Sequence, residues 1–275
     1  MTSVVYKVEE NIARIIINRP ERRNTLDNEV TAELDAALDR ALEAPEVRAI
    51  VLEGEGESFC AGWNLNLDVE ALGDEVWPQW MGMQKGAEHR RKWWTSRKPI
   101  VCKVQGYALG AGFELAQLAD FVIASDDAIF GETEIRYSLL TYPHAIWLIG
   151  IRNAKEVMML GEKFGAQRAH EYGLVNRVVP RSSLDAEVMA IARRLAVMPT
   201  ETMQLMKHMI TRAADMQGLG QMQTWGIDLF VLSKVMNTPE KDEFARLTRE
   251  KGMRAALAWT RDTFGDDYDK ERHRG

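Results

Sequence analysis

The amino-acid sequence predicts an α/β fold whose C-terminal part is purely helical. Short β-branched runs alternate with amphipathic helical stretches over the first half of the chain, which is typical of strands covered by helices. From about Ser183 onward only helical patterns remain. The 275 residues are 46% hydrophobic, which is enough to bury a large core. We therefore expect a core over residues 1–198 and a helical subdomain over residues 199–275.

The chain opens on a predicted β-hairpin followed by a helix. Residues 4–8 and 12–17 are rich in β-branched side chains, and a polar turn at 9–11 separates them, which is a hairpin signal. Asp27 is a typical helix N-cap, and apolar side chains recur after it at helical spacing as far as Leu42. We expect that helix to pack on the sheet.

The remaining regular elements follow the same two periodicities. They are predicted strands at 49–52, 100–104 and 121–124, and predicted helices at 184–195, 200–214 and 241–259. The segment 65–98 departs from simple alternation and is dense in Trp and Met side chains. Such side chains form helix cores, and they also suit a pocket for a bulky apolar ligand. Both interpretations are open at the level of sequence.

Composition narrows the classes of function. The formal net charge of −6 disfavours a nucleic-acid surface, because phosphate binding depends on clustered Lys and Arg. Cys60 and Cys102 stand at neither metal nor redox spacing, so we expect a reducing compartment and a cytoplasmic location. The histidines show no metal-ligand spacing, and we expect no metal. Apolar runs reach neither signal-peptide nor membrane-span length, so we expect no membrane partner.

Two glycine-containing segments are candidates for a site. Residues 59–65 and 106–116 each follow a predicted strand and precede a predicted helix. Small residues at such a junction let a ligand approach the backbone, and free N–H groups there favour developing negative charge. Side by side, the two turns would form an oxyanion hole. A single glycine-rich turn between a strand and a helix more often has no role in a site. The second segment does not fit the dinucleotide-binding motif G-x-G-x-x-G, because Leu115 stands at the position of its third glycine.

Two glutamates, one in the second segment and one after it, are candidate proton carriers. Glu114 lies in the first turn of the helix that the second segment opens, and Glu134 comes after the strand-like residues that follow it. A strand that returns past the helix would bring the two carboxyl groups together. An ordinary glutamate is solvated, but Phe113 and Leu115 place Glu114 in a mostly apolar helix. Glu114 is therefore the stronger candidate of the two on residue pattern alone.

Taken together, these motifs resemble the crotonase (enoyl-CoA hydratase/isomerase) superfamily. The similarity is carried by residues 59–65, 106–116 and 130–135, and it extends to 17–26 and 173–180. Several motifs in the family's order are far more specific than any one of them. The resemblance implies a spiral of ββα units and a C-terminal helical part that builds trimers, often as pairs of trimers.

The resemblance also assigns expected roles to individual residues. The oxyanion-hole amides would be those of Trp63 and Ala111, while Glu114 and Glu134 would activate water and carry the proton at the α-carbon of the acyl group. Coenzyme A would be part of the substrate, with no tightly bound cofactor. Its expected contacts, with those of the acyl group, are Arg22, Arg23, Ala61, Gly62, Asn64, Leu65, Gly110, Arg261 and Phe264, the last two as the family often supplies them from a neighbouring subunit.

One segment departs from the family pattern and leaves the reaction open. Many hydratases continue after the second glutamate into a glycine-rich loop, whereas this chain has the bulkier residues 137–147. Tyr142 and His144 there are pocket candidates, although a lone His among apolar residues is more often structural. Hydration of a 2-enoyl-CoA is the leading expectation. The alternatives are double-bond isomerisation, hydration and cleavage of an aromatic enoyl-CoA, thioester hydrolysis, or acyl-CoA binding without catalysis.

Overall fold

The strands form two sheets within residues 2–65 and 75–265, the part of the chain that the computed structural model describes. In chain order they are β1 Val4–Glu9, β2 Ile12–Ile17, β3 Ala49–Gly54, β4 Ile100–Val104, β5 Tyr107–Leu109, β6 Phe121–Ser125, β7 Ile129–Gly131, β8 Lys163–Gly165 and β9 Arg177–Val179. The larger sheet has the order β1-β2-β3-β4-β6-β9 and is parallel except for the β1–β2 hairpin. The smaller sheet has the order β5-β7-β8.

Helices cover these sheets and make up the C-terminal part of the described chain. They are α1 Asn28–Glu43, α2 Val76–Trp94, α3 Ala111–Gln117, α4 Ala145–Leu160, α5 Ala166–Glu171, α6 Leu184–Ala196, α7 Thr200–Met216, α8 Leu219–Val235, α9 Pro239–Lys251 and α10 Met253–Phe264. Short 3-10 turns lie at Pro20–Arg22, Glu134–Tyr137 and Arg181–Ser183. Among the described helices, none combines the length and apolarity needed to span a bilayer.

Both faces of the larger sheet are buried. On one face, Ile50 and Leu52 pack into the main core together with residues of α1 and the smaller sheet. On the other face, Val51 and Val101 pack against Val188 and other residues of α6. Strands of a parallel sheet that is covered on both faces have continuously apolar sequences, whereas strands covered on one face alternate apolar and polar residues. This explains why β3 and β4 were visible in the sequence as short apolar runs.

The predicted hairpin and the predicted cap of α1 are both confirmed. Val4 pairs with Ile17 and Glu9 pairs with Ile12 in an antiparallel register. The Asp27 carboxylate accepts a hydrogen bond of 3.0 Å from the backbone N–H of Val30, which satisfies one donor that the helix itself cannot pair.

Replacing Asp27 by alanine is expected to lower the free energy of unfolding by about 1 kcal/mol, because the cap acceptor is lost. Chemical denaturation of the purified variant measures this change. Asp27→Asn is the matched control, since asparagine caps about as well but loses the ion pair with Arg19. Equal losses in the two variants would mean that the ion pair, not the cap, carries the effect.

The prediction of a single helix over 241–259 is wrong. Gly252 ends α9 with a φ of 82°, a left-handed conformation that favours glycine, and α10 starts at the next residue. The chain reverses there, so that Phe244 of α9 and Trp259 of α10 pack with Leu65 and Tyr137 in one small cluster. The C-terminal helices therefore lie against the same chain near the 3-10 turn that begins at Glu134.

Candidate active site

The two glycine-containing turns lie side by side. Cys60 pairs with the start of the second segment: its N–H donates to Tyr107 O at 2.8 Å, and its carbonyl accepts from Leu109 N–H at 3.0 Å. Glycine makes this approach possible, because a Cβ on Gly112 would lie 2.3 Å from the Cys60 carbonyl oxygen. The predicted juxtaposition of residues 59–65 with 106–116 is thus present in the fold.

Each turn presents a backbone N–H that is not used elsewhere in the described chain. Within residues 2–65 and 75–265, the N–H groups of Trp63 and Ala111 have no hydrogen-bond acceptor. The two groups are neighbours, since a Cβ on Gly62 would lie 3.8 Å from the Ala111 nitrogen. Ala111 is also the first residue of α3, where the helix leaves its N–H groups unpaired. Neighbouring unpaired donors of this kind suit a carbonyl oxygen that gains negative charge.

The Glu114 carboxylate is buried and held from both sides. Oε2 accepts from Arg90 Nη2 at 2.5 Å and from Arg90 Nε at 3.0 Å, and Oε1 accepts from Thr141 Oγ1 at 2.8 Å and from Tyr142 N–H at 3.0 Å. Burial raises the pKa of Glu114, but the Arg90 charge and these hydrogen bonds outweigh it and hold the pKa below its usual range. Glu114 is therefore ionised and fixed in orientation, although its side chain is only 7% exposed.

Arg90, the partner of Glu114, was not recognised in the sequence. It lies on α2, and its guanidinium carbon is 3.5 Å from the centre of the Tyr142 ring. Arg90 is one of several basic residues in the segment 65–98, and nothing in the local sequence distinguishes it from Arg91 or Lys92. Of that segment, Trp93 is fully buried in the core, whereas Trp77 is 66% exposed and stacks on Trp80.

Glu134 lies beside the turn that opens α3. It begins the 3-10 turn Glu134–Tyr137, and a Cβ on Gly110 would lie only 2.0 Å from its Oε1. Gly110 N–H donates to Gly131 O at 2.9 Å, which ties this turn to the end of β7. The structure thus brings both sequence-predicted glutamates to the two turns.

A third carboxyl group, Glu132, joins them and was missed as a site residue. It is 2% exposed and lies two residues before Glu134. Burial, the charge of Glu134, the hydrogen bond to it, and the charge of Glu114 raise the pKa of Glu132 well above its usual range. The burial of Glu132 could have been inferred from the sequence, because Glu132 stands two residues after the apolar Phe130 and alternate residues of a strand share a face.

The pocket candidates from the bulky loop take different roles. The Tyr142 backbone N–H holds Glu114, as described above. His144 is buried, with its Nε2 2.9 Å from Gln223 Nε2. Burial lowers the pKa of His144 to about 4, so its ring is neutral near pH 7 and does not act as an acid there. In the described residues, no group of three His, Cys, Asp or Glu side chains is placed to hold a metal.

The candidate contacts for coenzyme A lie in three places: the first loop, the two turns and α10. Arg22 and Arg23 are exposed on the first loop, and the Arg23 carbonyl accepts from Ala61 N–H at 3.0 Å, so this loop borders the first turn. Gly62, Asn64, Leu65 and Gly110 lie in the two turns themselves. Arg261 and Phe264 lie on α10. The resemblance implies that these two residues contact coenzyme A bound to a neighbouring subunit. Here α10 packs on its own chain, and Arg136 donates to the Gly265 carbonyl at 3.0 Å just beyond it.

The chain is similar to known proteins over most of its length. The model of the family "Enoyl-CoA hydratase/isomerase" matches residues 7–252. The chain is 32% identical over 221 residues to 1,2-epoxyphenylacetyl-CoA isomerase of Escherichia coli K12, covering 78% of this chain and 83% of the relative. It is 31% identical over 225 residues to (E)-benzylidenesuccinyl-CoA hydratase of Thauera aromatica, covering 78% and 84%.

A solved structure extends the comparison to the fold. An enoyl-CoA hydratase/isomerase from Xanthobacter autotrophicus Py2 matches with a TM-score of 0.90 and 34% identity, covering 94% of this chain and 97% of that one. The resemblance carried by residues 59–65, 106–116 and 130–135 is therefore confirmed at the level of family and fold. The chain belongs to the enoyl-CoA hydratase/isomerase family and has the crotonase fold.

Proposed function

We propose that the protein adds water to a 2-enoyl-CoA thioester. The observation that carries the proposal is that Glu114 and Glu134 lie beside the backbone N–H groups of Trp63 and Ala111, which have no acceptor within residues 2–65 and 75–265. Burial raises the pKa of Glu114, but the Arg90 charge outweighs it and holds that pKa below its usual range, whereas burial and the charge of Glu134 raise the pKa of Glu132 well above its usual range. Carboxyl groups whose environments push their pKa values apart are the usual mark of an acid and a base in one site.

The chemistry follows from this arrangement. The thioester oxygen would accept hydrogen bonds from the N–H groups of Trp63 and Ala111, and each such donor contributes about 10²–10³ in rate. The water oxygen would bond to the β-carbon while the carboxylate of Glu114 orients the water and takes its proton. The double bond would become an enolate, whose α-carbon takes a proton from Glu134. One water is added and no other reactant is consumed.

Exposed groups near the turns support a coenzyme A substrate. Arg22 and Arg23 border the first turn, and guanidinium groups bind phosphate oxygens in a bidentate manner. The resemblance also implies a homotrimer or a hexamer. In support, α7 and α8 expose large apolar side chains, including Ile210 and Trp225, over a surface that a second copy of the chain would cover.

A second candidate, double-bond isomerisation, is favoured by one observation. The four hydrogen bonds to Glu114 occupy both of its oxygens, which leaves Glu132 and Glu134 as the groups best able to move a proton. Isomerisation needs one such group to take a proton from one carbon and return it to another. In that case Glu114 would act only to hold the loop and Arg90.

Incubating the protein with crotonyl-CoA, a longer 2-enoyl-CoA and cinnamoyl-CoA is expected to give products heavier by one water. Loss of the conjugated thioester absorbance gives the rate, and mass spectrometry identifies the product. Glu114→Gln and Glu134→Gln are each expected to lower kcat by about 10²–10⁴, because each removes one proton carrier. Glu187→Gln is the control, since Glu187 lies on α6 and pairs with Arg177 away from the turns.

The outcomes separate the two candidates. Full hydratase turnover in both Glu114→Gln and Glu134→Gln, with the fold intact, would refute the hydratase assignment. Conversion of a 3-enoyl-CoA to its 2-enoyl isomer with no change in mass, abolished by Glu134→Gln but kept by Glu114→Gln, would establish isomerisation in its place.

A further inference from the structure

Both oxygens of the Glu114 carboxylate are fully used in the structure. Oε2 accepts two hydrogen bonds from Arg90, and Oε1 accepts one from the Thr141 hydroxyl and one from the Tyr142 N–H. A carboxylate offers about four lone-pair positions, and these four bonds take them all. A reacting water molecule therefore finds no open position on Glu114 itself.

Of these four hydrogen bonds, one comes from a donor that can pass a proton on. The Arg90 guanidinium keeps its proton in proteins, and the nitrogen lone pair of a backbone amide is delocalised, so neither group exchanges one proton for another. A hydroxyl has one proton and two lone pairs, so it can give up its own proton while it accepts a second. Because a carboxylate only accepts, the Thr141 proton points to Glu114 Oε1 at 2.8 Å, and its lone pairs remain for another donor.

We propose that Thr141 is a catalytic residue that binds the reacting water and relays the water's proton to Glu114. This role rests on the proposed function and adds the path that the proton takes. The water oxygen bonds to the β-carbon, a water proton moves to Thr141 Oγ1, and the Thr141 proton moves to Glu114 Oε1. The π electrons of the double bond form the enolate, whose α-carbon takes a proton from Glu134. Between turnovers Glu114 releases its proton to solvent through the same hydroxyl, and Glu134 regains one.

The position of Thr141 suits this relay. Glu114 lies three residues after Ala111 on α3, and residues at that spacing share one side of a helix. The Thr141 hydroxyl therefore meets the carboxylate on the first turn of the helix whose N-terminal N–H is proposed to bind the thioester oxygen. Thr141 is half-buried, whereas Glu114 is buried, so Thr141 is the more accessible member of the hydrogen-bonded pair.

The neighbours of Thr141 in the chain hold it in place. On one side, the Leu140 N–H donates to Ser233 Oγ at 3.1 Å. On the other side, the Tyr142 ring stacks on Phe230 with 5.9 Å between the ring centres. Both partners lie on α8, and a β-branched threonine has few side-chain rotamers. The hydroxyl is thus oriented before a water arrives, which lowers the entropic cost of the transfer.

Replacing Thr141 by valine is expected to lower kcat/KM by about 10²–10⁴ on the 2-enoyl-CoA that the wild type hydrates best. Valine fills the same volume, but its methyl group carries no proton and keeps water away from Glu114 Oε1. Thr141→Ser retains the hydroxyl and is expected to stay within about tenfold of the wild type, the loss reflecting its freer rotamers. Thr95→Val is the matched control and is expected to keep the wild-type rate, because the exposed Thr95 donates its hydroxyl to the Arg91 carbonyl of its own helix.

Thr141→Ala separates a relay from a structural hydrogen bond. A hydroxyl that only holds Glu114 predicts equal losses in Thr141→Ala and Thr141→Val, because both variants lack that bond. The relay predicts that Thr141→Ala is faster than Thr141→Val by about tenfold or more, since the vacated space lets a water bond directly to the carboxylate. Chemical denaturation of each variant shows that it is folded.

The outcomes keep the relay distinct from the proposed function. Equal losses in Thr141→Ala and Thr141→Val, or a wild-type rate in Thr141→Val, would overturn the relay while hydration by the wild type leaves the proposed function in place. If the wild type added water to none of the three thioesters, the proposed function would fail and the relay with it. Retained activity in Thr141→Ser, partial recovery in Thr141→Ala and a large loss in Thr141→Val together support the relay.

Discussion

Replacing Arg90 by methionine is expected to destabilise the folded protein by about 3–5 kcal/mol near neutral pH, because it removes one partner of a buried ion pair. The guanidinium donates two hydrogen bonds to Glu114 and lies over the Tyr142 ring. Methionine fills much of the same volume but leaves the carboxylate with only Thr141 and the Tyr142 N–H as donors. Chemical denaturation of wild type and variant measures the difference.

The loss in Arg90→Met is expected to depend on pH. In the wild type the folded pKa of Glu114 lies below its unfolded value, so its charge stabilises the fold above that value, and the contribution is lost as pH falls. Without Arg90, burial dominates and the folded pKa of Glu114 rises above the unfolded value. The variant then gains stability on acidification, and its difference from the wild type narrows between about pH 7 and pH 5.

The double variant Arg90→Met with Glu114→Gln is the control for this prediction. It removes both charges, so it is expected to recover a large part of the stability that Arg90→Met loses. A double-mutant cycle gives the coupling between the two side chains. If Arg90→Met alone were as stable as the wild type, the ion pair would not be what holds Glu114 as a carboxylate.

Much of the fold could be predicted from local patterns. The hairpin at Val4–Ile17, the Asp27 cap and strand β4 follow from periodicity and capping chemistry within a few residues of chain. The error at 241–259 has the same local origin. A single glycine in a helical pattern is compatible with either a continuous helix or a break, and only the packing of α10 onto Tyr137 and Leu65 decides for the break at Gly252.

The candidate site was less predictable, because its chemistry depends on contacts between distant segments. Glu114 was identifiable from its apolar helix, but whether it is ionised depends on Arg90 from α2 and on the loop residues Thr141 and Tyr142. Glu132 stands in the motif beside Glu134, yet burial decides its protonation, and burial follows from tertiary packing. Residue types in a motif show which groups are present, whereas the environment shows which of them carry protons.

Replacing Gly110 by alanine is expected to lower kcat/KM by about 10²-fold or more, because displacing a reacting group by about 1 Å can cost that much. Gly110 has a φ of 51° and a ψ of −122°, and an added Cβ would lie 2.0 Å from Glu134 Oε1. The end of a flexible side chain yields more readily than backbone. The Glu134 carboxyl group is therefore expected to move away from the Ala111 turn while the fold persists. Steady-state kinetics on the best thioester measure the loss.

Gly252→Ala is the matched control for Gly110→Ala. Gly252 also has a positive φ, 82°, but a Cβ there would meet nothing within 4 Å among the described atoms. Both variants thus suffer the strain of a left-handed alanine, about 1–3 kcal/mol, and only Gly110→Ala contacts Glu134. Equal kinetics in the two variants would show that backbone strain alone accounts for the effect. A large loss confined to Gly110→Ala would show that the reaction depends on the turn where Gly110, the Ala111 N–H and Glu134 meet.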